Sequence, residues 1–352
     1  MLQRRILMGI AIVAVLFIAS VASSAMTTCT FTPVKKTMTL KGNCTTDASI
    51  VVPNGFTLDG AGFTINGIDP AGDHFKGGVI QNGGAVANVT NLKITTSGLS
   101  DSCDGGADRL RGILFDGASG SITNNQVFNV NQNQGVVLSG CQEGNAIETR
   151  NFGASPTTIR VVIDSNTISG YQKTGVVANG NTDATITDNV VTGAGPNFYI
   201  AQNGIQVGFG ATGMVKRNQV SGNSYSGNSD ASGGILVVGG PGYGGDFCVN
   251  VQVDKNTLTG NDVGVFVSQY EADFSAPATA TNIKVINNSI SNDAVNNGYV
   301  YQAGVSDVGN NDKIIANTIS GVGYDPNTLP GSTFSVDADS SFTNRVKVHA
   351  NK

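Results

Sequence analysis

The chain has 352 residues, of which 47 are Gly and 13% are charged, with a formal net charge of −5. That is about twice the usual share of Gly and about half the usual share of charge. Helical bundles are excluded, since Glu occurs only at Glu143, Glu148 and Glu271; so are collagen, which needs strict Gly-X-Y and much Pro, and disordered chains, which carry more charge and fewer Val and Ile. A β-rich protein with many turns remains, with Val, Ile and Thr in the strands and Gly supplying positive φ at the turns.

At the N-terminus, Arg4-Arg5 precede an apolar run from Ile6 to about Ala22 that ends in Ser23-Ser24-Ala25. A basic region, an apolar region and a small-residue cleavage site predict a signal peptide over 1–25. The run is slightly short for a membrane span, so no stable membrane insertion follows cleavage. The mature chain, 26–352, loses two Arg, and its net charge becomes −5 − 2 = −7. The predicted location is extracellular or periplasmic, by Sec or twin-arginine export. Export permits disulfides. Cys29 and Cys44 close a short N-terminal loop, Cys103 and Cys141 lie in two neighbouring insertions, and Cys248 is left over or replaces one of them. Spacing alone does not fix the pairing. It is wrong for zinc, and His74 and His349 are the only His.

The segment of about 26–50 reads as an N-terminal cap that hides open strand edges. Phe56-Thr57-Leu58-Asp59-Gly60-Ala61-Gly62-Phe63-Thr64-Ile65 reads as an opening coil. In Val89-Thr90-Asn91-Leu92-Lys93-Ile94, Leu92 holds the position that Asn takes later. From Gly112 two signatures alternate. The first is Gly before an apolar strand, at Gly112, Gly135, Gly175, Gly204, Gly234, Gly264 and Gly304, with Gly78 upstream. The second is apolar-x-x-Asn-x-apolar, around Asn125, Asn166, Asn189, Asn218, Asn256, Asn288 and Asn317. An uninserted unit is 21–24 residues long. That suits one coil of a parallel β-helix and is too short for a propeller blade. Each coil lies about 4.8 Å from the last, so like residues stack on like. The Asn amide then bonds to backbone and to the Asn of the next coil. The tail from about Gly321 is expected to close the other end.

These repeats, over about Ile50 to Val348, resemble the right-handed parallel β-helix proteins of the pectin-lyase-like superfamily. Ser139-Gly140-Cys141-Gln142-Glu143-Gly144-Asn145, Tyr171-Gln172-Lys173-Thr174-Gly175 and Ala201-Gln202-Asn203-Gly204-Ile205-Gln206 look like secreted bacterial β-helix repeat proteins without an assigned activity. The resemblance implies an all-β solenoid of about ten coils in a single domain, with coils over about 50–348. It leaves activity open, because lyases, hydrolases, adhesins and phage tailspikes share the fold.

Stacking lets candidate sites be written as ladders. The outward stripe of the Gly strands reads Leu114, Val137, Val177, Gln206, Leu236, Phe266 and Ser306. It is mostly apolar, so inserted loops are expected to cover it. A polar ledge precedes each Gly. Arg109, Gln134, Gln172, Gln202, Asn203 and Gln206 are candidate substrate-binding residues, since amides and guanidinium groups suit sugar hydroxyls and uronate carboxylates. Asp101, Asp104, Glu143 and Glu148, from neighbouring insertions, are candidate Ca²⁺ ligands.

Paired-carboxylate hydrolysis lacks an Asp pair after Asn181-Thr182-Asp183, and a Ser–His–Asp triad lacks a usable His. Uronate β-elimination needs a base and a cation. Lys173 and Arg111 are the candidates for those roles, with Tyr171 as proton donor. The expected partner is an extracellular or cell-wall polysaccharide, acidic in character, bound by a monomer. An acidic chain with few Lys and Arg argues against nucleic acid. The alternative is a non-catalytic surface or matrix scaffold, or an adhesin-like protein.

Overall fold

The computed structural model describes residues 26–132, 138–153, 157–338 and 343–352. The predicted signal peptide, Gln134 and the repeat residues Gly135 to Val137 lie outside the described residues. Thirty-two strands form three sheets of ten, twelve and ten strands. We name these sheets 1, 2 and 3. The chain visits them in turn, and its strand pairing is parallel throughout apart from the hairpin of Phe31–Val34 with Thr37–Leu40. The molecule is therefore a parallel β-helix. We number its ten coils by their sheet 1 strands. Coil 1 begins at Ile50–Val52, coil 2 at Gly78–Asn82, coil 3 at Arg111–Asp116, coil 4 at Asn145–Asn151 and coil 5 at Thr174–Gly180. Coils 6 to 10 begin at Asn203–Gly208, Gly233–Gly239, Val263–Gln269, Gln302–Val308 and Thr333–Asp337.

Each sheet buries a long aliphatic ladder. In sheet 1 it runs Ile80, Ile113, Ile147, Val176, Ile205, Ile235, Val265 and Val305. In sheet 2 it includes Leu58, Val89, Ile122, Ile163, Ile186, Val215, Val253, Val285 and Ile314. Period-2 alternation places these residues inside, and stacking makes the three ladders one continuous core.

The Gly at the start of the sheet 1 strands of coils 3 and 5 to 9 is required by close approach, whereas turn Gly such as Gly170, Gly210 and Gly240 have the positive φ that the composition suggested. Gly204 is in an ordinary extended conformation, but a Cβ on it would sit 2.2 Å from Val220 Cγ1 and 2.6 Å from the carbonyl oxygen of Gly234. Gly234, Gly264 and Gly304 repeat the arrangement against the carbonyl of the next coil. Positive φ belongs elsewhere. The residue before each ladder Asn is left-handed, at Asn124, Ser165, Asp188, Arg217, Lys255, Asn287 and Ala316. The Asn side chains answer that bend. Asn125, Asn166, Asn189, Asn218, Asn256, Asn288 and Asn317 are buried, and each donates from Nδ2 to Oδ1 of the next at 2.9–3.0 Å. The ladder ends on Asn351 and begins at Leu92, whose backbone N–H donates to Asn125 Oδ1.

Two registers differ from the sequence reading. Coil 4 is not built on Gly135. Its strand is Asn145–Asn151, and Ala146 takes the Gly position while Glu148 takes the outward place assigned to Val137. In coil 2, Gly78 pairs with Arg111, so Val79 falls opposite Gly112. The tail from Gly321 contributes Thr333–Asp337 and Lys347–His349, which form the tenth coil. Cys29–Cys44 ties the cap to the first strand of sheet 3, and Cys103–Cys141 joins the two predicted insertions; Cys248 is a buried free thiol. Among the described residues no helix is long and apolar enough to cross a membrane.

Candidate functional site

Over coils 3 and 4 the outer face of sheet 1 is closed. Arg111 is 2% exposed. Its Nε donates to Glu148 Oε2 at 2.7 Å, and its remaining donors take the carbonyls of Gly106, Ala107 and Arg109. Arg150, on the same face as Glu148, pairs with Asp116 at 2.7 Å and reaches the Gly106 carbonyl at 3.0 Å. The insertion before coil 3 is thus clamped down on the sheet, and Leu114 and Val177 are buried.

This arrangement corrects several expected roles. Arg111 has every donor occupied inside the protein and faces no open space. Tyr171 is fully buried, its hydroxyl donates to Asn223 at 2.5 Å, and burial pushes its pKa upward, so it cannot deliver a proton at the surface. Gln172 and Gln202 are buried within the turns. Gln172 accepts from the Gln132 N–H and donates to the Cys141 carbonyl, while Gln202 accepts from the Ala194 N–H and donates to the Tyr171 carbonyl. They satisfy backbone instead of forming a ledge.

The four acids expected to gather Ca²⁺ have separate occupations. Asp101 accepts from Ser139 Oγ, and Asp104 faces His74 Nε2 at 2.6 Å. Glu143 accepts the N–H groups of Asp104 and Leu110, and burial raises its carboxyl to about 6. Glu148 holds Arg111 and Asn145. Among the described residues no three His, Cys, Asp or Glu side chains converge on a metal position.

Beyond the buried Val177 of coil 5 the face opens. Gln206, Leu236 and Phe266, successive members of the outward stripe, are only partly buried and floor two confluent cavities of about 470 and 610 Å³. Asp230, Ala231, Tyr243 and Phe266 line both, so the two form one groove along the solenoid. Insertions at the two edges of sheet 1 make its walls. Tyr199, Tyr225, Tyr299 and Tyr301 come from the sheet 3 side; Tyr243 and Tyr270 come from segments leading to sheet 2. Six of the eight Tyr in the chain therefore line this groove. Tyr199, Tyr243 and Tyr299 are 49%, 43% and 56% exposed. Others are fixed. Tyr301 donates to Asp337 at 2.6 Å, and Tyr243 shares a 2.7 Å hydrogen bond with Ser268 while packing edge-on to Tyr270 at 5.8 Å.

Lys173 stands at the coil 5 end. It lines the groove together with Gln142, Asn203 and Gln206. It also lines a smaller adjoining pocket with Arg109 and Gln206, so these three candidate residues lie together. Lys173 Nζ donates to the Ala201 carbonyl at 2.6 Å, and burial lowers its pKa to about 8 against the raising influence of Asp230. Asn203 is spoken for in part, since its Oδ1 accepts from the Gly233 N–H. Sequence reasoning missed the aromatic walls. Their only sequence signal is that the Tyr residues after Tyr171 fall mostly between strands, outside the repeat register.

The fold is similar to that in the crystal structure of the Dettilon tailspike protein, with a TM-score of 0.52 at 17% sequence identity. The match covers 90% of this chain and 54% of the tailspike chain, so the protein spans about half the length of that relative. No family model matches the sequence, and no curated protein matches it.

Proposed function

We propose that the Tyr-walled groove of coils 5 to 9 binds an extended polysaccharide outside the cell, and that the protein is a secreted glycan-recognising member of the pectin-lyase-like β-helix proteins. The observation that carries this reading is the gathering of six Tyr around a floor of Gln206, Leu236 and Phe266. Tyr offers an apolar ring face and a polar tip at low conformational cost. Sugars present the same duality, with apolar C–H faces and hydroxyl rims. A groove open at its length accepts a chain, where a closed pocket accepts only a small molecule. The two disulfides fit an oxidising compartment. The tailspike likeness supports the architecture; the ligand is argued from the groove.

Tyr199→Ala and Tyr243→Ala are each expected to weaken glycan binding about tenfold, a loss of about 1.4 kcal/mol in the range of an aromatic contact. Titration calorimetry on a ligand found by glycan array measures this. Full affinity in the double variant, or an array with no ligand for the native protein, sinks the reading.

The coil 5 end is suited to an acidic sugar. Lys173 with its pKa near 8 is mostly charged at neutral pH, and Arg109 adjoins it. Deprotonation removes the charge, so affinity for an acidic glycan should fall as pH rises from 7 to 9, and Lys173→Gln should flatten that profile. An unchanged profile in the variant removes Lys173 from recognition.

The same depressed lysine favours a second reading, uronate β-elimination with Lys173 as base and Arg109 opposite the carboxylate. It requires a rise in the unsaturated-uronate absorbance at about 235 nm on an acidic polysaccharide. Binding without that rise leaves a recognition module.

A further inference from the structure

The interior ladders of sheet 1 contain one residue out of character. Val207, Val237 and Val267 follow one another in register, and the next member is Asp307. A second substitution lies beside it. Asp312 precedes Lys313 as Ile283 precedes Lys284 and Val251 precedes Gln252, and Val251 and Ile283 are fully buried. Two carboxyls thus replace aliphatic side chains inside coil 9, with Asp307 at 1% exposure and Asp312 at 0%. They face each other. A Cβ built on Gly309 would lie 1.9 Å from Asp312 Oδ2 and 3.0 Å from Asp307 Oδ1.

Asp312 Oδ1 is satisfied by Thr281 Oγ1 and the Ile283 N–H, each at 2.7 Å. The other oxygens are not. Both oxygens of Asp307, Oδ2 of Asp312 and Oδ1 of the buried Asn310 in the same turn find no donor in the surrounding protein, and these carboxyl oxygens have only each other within hydrogen-bonding reach. No basic side chain acts on either carboxyl, and burial raises both, Asp312 to about 6. Buried acceptors without donors are costly, and a pair of buried carboxyls more so. A hard divalent cation meets both demands, since it takes oxygen ligands and supplies two positive charges.

We propose that Asp307 and Asp312 hold a Ca²⁺-class cation inside coil 9, with Asn310 Oδ1 as a further donor, and that the ion fastens the last coils of the solenoid. Asp307 also lines the larger cavity of the groove, so the site lies against its coil 9 floor; it is distinct from the acids of the 97–150 region.

The test uses the mature full-length protein, elemental analysis of the purified sample, and thermal unfolding with CaCl₂ or EDTA. The native midpoint is expected to be higher with Ca²⁺ than with EDTA by roughly 4 °C at a hundredfold excess over the dissociation constant. Asp307→Val restores the aliphatic ladder and should fold, with a midpoint indifferent to both additions. A slowly released ion would blunt the EDTA effect, but about one equivalent of metal in the native sample and none in Asp307→Val carries the same conclusion. Native protein that is metal-free and indifferent to Ca²⁺ overturns the proposal, and a midpoint that then falls between pH 5 and 8 assigns the pair to a shared proton. An equal Ca²⁺ response in Asp307→Val also overturns it, since the ion then binds elsewhere.

Discussion

Asn218→Ala is expected to destabilise the fold by about 3–5 kcal/mol, since it orphans a buried donor and removes every other buried hydrogen bond of the amide. Asn218 is fully buried, and its Oδ1 accepts both the backbone N–H and the Nδ2 of Asn189, at 3.0 and 2.9 Å. Its own Nδ2 donates to the Ile186 carbonyl and to Asn256 Oδ1. Truncation leaves the Asn189 N–H, the Ile186 carbonyl and Asn256 Oδ1 around a void closed to bulk solvent. The same change at Asn351 should cost clearly less. That residue terminates the ladder and is partly exposed, so water can replace its amide. Urea denaturation of both variants decides the matter. Equal losses at the interior and terminal positions would mean that the ladder contributes only local turn propensity.

The second large effect is expected at Arg111. Arg111→Met should cost about 3–5 kcal/mol, because it strands the Glu148 carboxylate in a buried site. The remaining partners of Glu148 are Asn145 Nδ2 at 2.8 Å and Arg150 Nη1 at 3.8 Å. The Ala107 and Arg109 carbonyls also lose the Arg111 donor, while the Gly106 carbonyl keeps that of Arg150. Combining Arg111→Met with Glu148→Leu should recover much of the loss, since a buried ion pair replaced by apolar groups of similar volume is often near neutral. A double-mutant cycle in denaturant measures the coupling. A double variant as unstable as the single one would place the cost in the loop carbonyls instead of the ion pair. Catalysis would show otherwise: were Arg111 a substrate-binding cation, the double variant would lose activity while regaining stability.

The solenoid was legible because stacking converts a structural requirement into a periodic one. Asn166, Asn189 and Asn218 recur since each must satisfy the bend of the coil before it, and the strand Gly recurs since a carbonyl passes where its Cβ would be. Coil 4 misled for the same reason. Gly135-Val136-Val137-Leu138 carries the local signature, whereas the strand that joins the ladder has Ala146, the smallest departure from Gly.

The site was only partly legible. The outward stripe of Gln206, Leu236 and Phe266 follows from period 2 and floors the groove. Lys173 and Arg109 were found because charge is scarce. Gln172 and Gln202 misled because an amide that serves backbone and one that awaits a ligand are identical in sequence. Tyr199, Tyr243 and Tyr299 escaped because insertions obey no register. Their positions follow from which edge of sheet 1 each insertion leaves, and that is a property of the assembled coil.

The walls of the groove leave from the two edges of sheet 1, while the Gly and Asn ladders lie within the coils. The groove walls and the ladders are consequently written in different parts of the chain. An insertion such as 226–232 or 292–301 could be exchanged for another of different length without shifting one rung of either ladder. Losses from wall and ladder substitutions should then simply add when combined at well-separated positions. The scaffold would accept new specificities by loop replacement, much as a frame accepts new panes.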